Sequence, residues 1–456
     1  MSRRVSIAAG VLAAAWLLAY GPSVTGGFIK DDFGWIYHSR IGGWSSLLSA
    51  FTSAQVFYRP MVQLSFGITE TIFGTAPVPY ALTNLLLGLA CAGSILALGR
   101  AAGLASWAAL AAAAVWAFNF HGINMAIVWL SGRTSLLGTL FSTLAALAFL
   151  RNRTAAAGVL AFGAFLSKEE VLALPVILTL WALINRTEVK RTAGTWLALA
   201  VYFVLRYYSG AIGPSNAPPY YQFTFNPLHV ATNIFEYADR SLTLALLVVG
   251  AGIIGFGGLP KLDRDERRRV LMGAVWLAGG FAVTIWLPIR SSLYVVFPSV
   301  GVALATGAIL FAASRNASPQ RAWRVATVAM VLPFLLLPLY WRRNLRWTEL
   351  RNLSSATIRT IQADHLAPQT LVVLEDDLST RANFRNVFGT LLPEASALIF
   401  PNQLSLWIEP PPPEVEPNSK PANTVRVVSY RLVNGRIESR VAAITAGRVG
   451  DPVRPR

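Results

Sequence analysis

The chain has 456 residues, of which 54% are hydrophobic and only 13% charged, too few charges to clothe a water-soluble protein of this length. The bilayer must be its main solvent. A net charge of +17 would suggest nucleic acid in a soluble protein, but the basic residues fall in short clusters between apolar runs, a topological pattern that excludes nucleic acid as a partner.

The first run, 5–20, follows Arg3 and Arg4 as a signal peptide would. No small-x-small cleavage site precedes Phe28, however, and more spans follow, so it reads as an uncleaved first span. Ten further apolar runs are candidates to cross a hydrocarbon core of about 30 Å, the shorter ones borrowing flanking residues. They are 81–98, 104–118, 136–150, 155–166, 171–184, 195–205, 242–256, 270–286, 293–312 and 325–340. All should be helices, because backbone exposed to lipid must satisfy its own hydrogen bonds. The expected fold class is therefore a polytopic α-helical membrane protein of about 11 transmembrane helices.

Alternate loops carry the basic clusters: Arg3 and Arg4, Arg100, Arg151 and Arg153, Arg186 with Lys190 and Arg191, the loop 261–269 and the loop 315–324. By the positive-inside rule these are cytoplasmic. The N-terminus is then cytoplasmic and the C-terminus exported. Arginine outnumbers lysine and alanine is abundant, which fits a GC-rich bacterial genome, an inner (plasma) membrane and a periplasmic C-terminus. The lone cysteine, Cys91, lies within an apolar run and has no partner in the chain, so no internal disulfide forms.

Three exported stretches exceed simple turns: 21–80, 209–240 and the tail. Trp44, Leu47, Leu48 and Phe51 recur at helical spacing, which suits a helix in the interface plane or an ordinary packing helix. The tail changes character, with β-branched segments at 370–374 and 424–432 and an Asn434-Gly435 hairpin signal. It reads as a small exported α/β domain, 342–456, after a transmembrane domain, 1–341. Between its strand segments, Glu409 and four prolines form a stiff linker or loop.

Charges at the exported ends of spans need a reason, because charge at membrane depth usually faces a cavity, a partner or a substrate. The set is Lys30, Asp31, Asp32, Arg59, Arg133, Lys168, Glu169, Glu170 and Arg290. Asp31 and Asp32 either divide the work of general base and of acceptor or metal orientation, or belong to a solvated loop or a helix N-cap. Arg133, Lys168 and Arg290 come from three separate hairpins. They suit a phosphate if they converge, or ion pairing and snorkelling if they do not. His121 suits a structural hydrogen bond better than a metal, since four scattered histidines show no metal-ligand spacing. No cofactor is implied; a divalent metal is compatible with the acids but nothing indicates one.

The order of these motifs resembles the GT-C glycosyltransferases related to protein O-mannosyltransferases, most closely the branch whose membrane part precedes tetratricopeptide repeats. The resemblance spans about 28–350. It rests on Asp31-Asp32, Tyr58-Arg59-Pro60 running into Leu64-Ser65-Phe66, Asn84-Leu85-Leu86-Leu87, Trp129-Leu130-Ser131-Gly132-Arg133-Thr134, Leu166-Ser167-Lys168-Glu169, Arg290 to Tyr294 with Pro298-Ser299, and Arg343-Asn344 to Trp347. It implies transfer of a sugar from a polyprenyl-phosphate donor to a protein or glycan acceptor hydroxyl on the exported side. In that reading Asp31 or Asp32 is the catalytic carboxylate, and Arg133, Lys168 and Arg290 bind the lipid phosphate. Tyr58, Arg59, His121, Glu169 and Tyr294 complete the substrate-binding set.

The chain departs from that pattern where Asn124 replaces an acid, Ser135 an aspartate and Gly88 a histidine, and where the α/β tail replaces repeats. These departures keep a second class in view: a non-catalytic membrane protein, or a transporter of lipid-linked sugars, on the same scaffold. A transporter should expose functional charge to both faces or the midplane, whereas here the unusual charges share one face.

Overall fold

A computed structural model describes residues 3–53, 57–212, 219–315, 317–400, 404–415, 426–433 and 436–442. The protein is a polytopic α-helical membrane protein with a small α/β region near its C-terminus. The helices among the described residues are α1 Arg3–Tyr20, α2 Asp31–His38, α3 Trp44–Thr52, α4 Pro60–Phe73, α5 Pro77–Ala101, α6 Ser106–Ala117, α7 Ile123–Val128, α8 Arg133–Leu150 and α9 Thr154–Phe165. There follow α10 Leu174–Asn185, α11 Ala193–Tyr208, α12 Pro227–Phe256, α13 Arg264–Phe281, α14 Ser299–Ala313, α15 Pro319–Leu335, α16 Leu337–Ala363, α17 Phe384–Phe388 and α18 Leu392–Ile399.

Each of the eleven apolar runs coincides with a helix over most of its length. Among the described residues five segments, Arg3–Val24, Pro77–Ala101, Leu130–Leu150, Pro227–Phe256 and Ser292–Ala313, are by themselves long and apolar enough to cross a membrane. The ends differ from expectation where capping overrides charge. The basic cluster 261–269 is a loop only as far as Asp263, whose side chain accepts from the Glu266 amide while Glu266 returns the bond. This capping box starts α13 at Arg264 and makes its arginines helical. Likewise Ser318 caps α15, so Arg321 and Arg324 are helical rather than loop residues. Asn226 caps α12, so much of the stretch 209–240 is helix.

The chain forms two compact units. The first comprises Met1–Val24, Ile41–Ser65 and Tyr80–Asn344. Buried tryptophans tie its helices together by donating to carbonyls of neighbouring segments: Trp116 to Val296, Trp181 to Met272 and Trp276 to Phe297, each at 2.9 Å. α3 does form at the predicted helical spacing, and it buries none of its residues; Trp44 is 88% and Leu48 65% exposed.

The second unit gathers Thr25–Arg40 and Phe66–Pro79 with Leu345–Arg456. Its sheet has the order β2-β1-β3-β4, with β1 Thr370–Glu375, β2 Ser405–Glu409, β3 Arg426–Val433 and β4 Arg436–Ala442. β1 runs parallel to β2 and β3, in register Val372 with Leu406 and with Val428. The near-continuous apolar run of β1 is buried on both faces, as a central parallel strand requires. β3 and β4 pair antiparallel through Val433 and Arg436, on either side of the expected turn. Asn434 and Gly435 themselves lie outside the described residues. Phe33 of α2 stacks on Phe388, ring centroids 5.6 Å apart.

Candidate functional site

The turn between α9 and α10 puts three charged residues in a row, Lys168, Glu169 and Glu170, and the first unit brings partners to each. Arg59, just before α4, grips Glu169 through Nε and Nη2 at 3.0 and 2.7 Å on the same oxygen. The other Glu169 oxygen accepts from Arg206, at the end of α11, at 3.4 Å. Arg206 also donates to the Tyr202 hydroxyl at 2.6 Å. Burial alone would raise the Glu169 carboxyl, but the two guanidiniums hold it down at about 2.

Lys168 and Glu170 form the deeper layer, with residue exposures of 4% and 2%. The Lys168 ammonium donates to Ser135 and stands 3.0 Å from Glu170 Oε2, over the Tyr294 ring at 5.2 Å. Among the described residues neither Glu170 oxygen receives an aligned hydrogen bond, so the pair is a charge contact rather than a bonded one. Burial pushes the Glu170 carboxyl up, against the pull of Lys168, and pushes Lys168 down, against the pull of Glu170. The Tyr237 hydroxyl is a second buried polar atom without an aligned partner among the described residues, and it lies within electrostatic reach of Glu170.

Arg133 sits in a different setting. It is fully buried, donating from Nε to Asn84 Oδ1 at 3.0 Å, from Nη1 to the Ser65 carbonyl at 3.2 Å and from Nη2 to the Tyr80 carbonyl at 3.0 Å. Asn84 in turn donates to the carbonyls of Ala126, Trp129 and Leu130. Gly132 makes this fold-back feasible, since a Cβ there would fall 2.5 Å from the Ala126 backbone. Ser65, Asn84 and Arg133, which belong to three separate sequence motifs, thus form one hydrogen-bonded knot. Its Nε and both Nη groups donate to neutral protein acceptors, the arrangement of a side chain that braces the turn.

The remaining candidates divide similarly. Arg290 donates to Asn233 at 2.8 Å and to Glu236 at 3.2 Å, with a third of its side chain exposed. Tyr58 is buried and its hydroxyl donates to the Phe51 carbonyl at 2.9 Å. Burial, then the neighbouring Arg343 guanidinium, push His121 down to about 4. Its ring is therefore neutral near pH 7, with Nδ1 placed 3.3 Å from Arg343 as a structural acceptor. Among the described residues no three of His, Cys, Asp and Glu gather as metal ligands would.

The departures from the resembled pattern also acquire physical reasons. Ser135 is the hydroxyl on Lys168. Asn124 is buried and donates to Asn344, which donates to the Ala19 carbonyl. Any side chain at Gly88 would strike Trp16 and Ile127 within 2.6 Å, so no histidine fits there.

In the second unit, Asp31 and Asp32 open α2 after Lys30, whose φ of 49° marks a left-handed turn. Asp32 is fully buried, accepts from the Ile29 amide at 3.1 Å and interacts electrostatically with Arg351. Asp31 is exposed. Adjacent in sequence, the two carboxylates do different work: Asp32 braces the turn and Asp31 meets solvent.

Sequence reasoning missed Arg206 and Tyr202, and met Ser135 only as a departure from the resembled pattern. Arg206 is the basic residue in the last turn of α11 and looked like an ordinary helix-end cation. Only the fold reveals that it faces Glu169.

No protein-family model matches the chain, and no curated protein matches it in sequence. Among solved structures, ArnT from Cupriavidus metallidurans bound to undecaprenyl phosphate is 14% identical, covering 94% of this chain and 92% of that one at a TM-score of 0.48. The apo state of the same protein is 14% identical, with coverages of 94% and 93% and a TM-score of 0.49.

Proposed function

We propose that this chain is a GT-C-type membrane glycosyltransferase that moves a sugar from a polyprenyl-phosphate carrier to an acceptor hydroxyl on the exported side of a bacterial inner membrane. The observation that carries the reading is the convergence of Arg59, Lys168 and Arg206 on one interhelical turn whose acids among the described residues are Glu169 and Glu170. Three cations and two carboxylates leave a net positive turn. The arginine forks around Glu169 have the geometry that phosphate oxygens accept. A departing phosphate would be stabilised by that charge, and holding donor and acceptor together would supply the entropic part of catalysis.

Asp31 is the proposed general base, since it is exposed while Asp32 is occupied by the Ile29 amide. It removes the acceptor proton as the sugar–phosphate bond opens; the resemblance implies inversion at the anomeric carbon. The acceptor, protein or glycan, is read off loss of a defined sugar when envelope glycans and glycoproteins of a deletion strain are compared by mass spectrometry.

The test is transfer from a radiolabelled polyprenyl-phosphate sugar by the full chain in proteoliposomes. Asp31→Asn should lower turnover by roughly 10² to 10⁴, the range for a lost general base, while donor binding persists. Wild-type turnover in Asp31→Asn would remove Asp31 as the base, and no transfer even by the wild-type chain, with no glycan changed in the deletion strain, would replace this reading with a non-catalytic or transport role.

A further inference from the structure

Where α12 ends and α15 begins, the first unit has an open groove of about 790 Å³ that the proposed transfer reaction does not use. One wall is polar, with Arg321 and Arg324 one turn apart on α15 and Gln320 beside them. The other is small and apolar, formed by Ala251 and Gly255 of α12 with Val325. Arg321 Nε is fixed on the Gly255 carbonyl at 3.1 Å, which orients the guanidinium at the groove. Among the described residues Arg324 makes no hydrogen bond or ion pair. The apolar wall continues along α12 away from the arginines. Leu247, one turn before Ala251, is 57% exposed and Ile254, beside Gly255, is 82% exposed, on a helix apolar enough to cross a membrane.

Positive charge at the end of a membrane-spanning helix, continuous with an exposed apolar stripe, complements one class of molecule in both its parts. We propose that this groove binds the phosphodiester headgroup of an anionic phospholipid, with an acyl chain lying along the Leu247–Ile254 stripe. Arg321 and Arg324 take the phosphate oxygens, for which guanidinium forks are shaped. Gln320 supplies a neutral donor to the headgroup. Basic grooves between helix ends at a membrane surface recognise acidic lipids by this combination of charge and depth.

The test uses the full chain in detergent, titrated with dihexanoyl-phosphatidylglycerol, dihexanoyl-phosphatidylcholine and inorganic phosphate, with bound lipid counted by native mass spectrometry. Phosphatidylglycerol should occupy one site that Arg321→Gln/Arg324→Gln abolishes, each arginine accounting for about tenfold in affinity. Arg324→Gln alone, which removes no contact to a described residue, covers the case in which the double variant misfolds. Sugar transfer by the variants should stay at wild-type level, which separates this site from the catalytic reading. Equal retention of phosphatidylglycerol by wild type and variants would overturn the proposal. So would equal affinity for phosphatidylcholine, or displacement of the lipid by inorganic phosphate at matching concentration, which would mark a site for free anions.

Discussion

Arg133 and Lys168 are alike in sequence, each a cation at a turn between two apolar helices, yet they are buried by opposite means. Around Arg133 the acceptors include the carbonyls of Ser65 and Tyr80 and the amide of Asn84, all neutral. Around Lys168 the acceptor is the Ser135 hydroxyl, with the Glu170 carboxylate beside it as counter-charge. The difference follows from the side chains. A planar guanidinium with five donors can be divided among several dipoles, whereas a compact ammonium concentrates its charge and needs an anion nearby. A cation divided among neutral dipoles is placed to brace the fold, while one held by a counter-charge is placed to serve a substrate.

That contrast breaks first at Arg133. Arg133→Ala should cost about 4 kcal/mol, since it leaves a cavity and strands several buried acceptors. Arg133→Lys should recover little of this, because one ammonium cannot span acceptors on three segments. The thermal unfolding midpoint in detergent reports both. Unchanged stability with weakened donor binding would instead return Arg133 to the phosphate-binding cations.

Lys168 and Glu170 should show the next largest effect. Glu170→Gln leaves a buried ammonium without its counter-charge and should cost about 3 kcal/mol. Adding Lys168→Met should restore much of it, giving a coupling energy above about 1 kcal/mol in a double-mutant cycle. Additive losses would mean that the two residues do not act as a pair.

The outer layer is sharpened by acid. Glu169 is held at about 2 in the folded protein, below its ordinary 4.5. Its contribution is therefore complete above about pH 4.5 and is lost as pH falls through about 2, up to roughly 3 kcal/mol by linkage. Comparing unfolding free energies of wild type and Glu169→Gln from pH 5 to 2 isolates that slope. If the two curves run parallel, the arginines do not hold Glu169 as described.

Arg290 should matter least for folding. Its partner Glu236 is about as exposed as it is and also contacts Arg240, so Arg290→Ala should shift stability by less than about 1 kcal/mol. A larger loss would place it beside Arg133 as a brace.

The eleven apolar runs were legible because a stretch of Leu, Ala and Val near membrane length permits little besides helix. Helix beginnings were less legible. Asp263 and Glu266 sit amid arginines, and the charge pattern said loop where the capping box says helix. β1 was readable from its unbroken apolar run, but β2, Ser405–Glu409, is short and flanked by prolines and carries little signal of its own. In the site, Lys168, Glu169 and Arg59 stood out as charges in apolar surroundings. Arg206 did not, and no local pattern could separate Arg133 from Lys168, because the distinction lies in acceptors brought from distant segments.

The second unit carries a consequence for biosynthesis. Its segment Thr25–Arg40 is completed by residues made far later: the Arg351 side chain donates to the Gly27 carbonyl across 324 positions, and the Lys30 amide reaches the Val387 carbonyl. At ribosomal rates of about 5 to 20 residues per second, that segment waits roughly 15 to 65 s for its partners. During the delay Phe33, Ile36 and the carboxylate of Asp32, all buried in the finished protein, have no shelter of their own. The unit must therefore assemble after translation of most of the chain, and a nascent protein stalled before Arg351 should expose the 25–40 segment to protease while the helices already made stay protected.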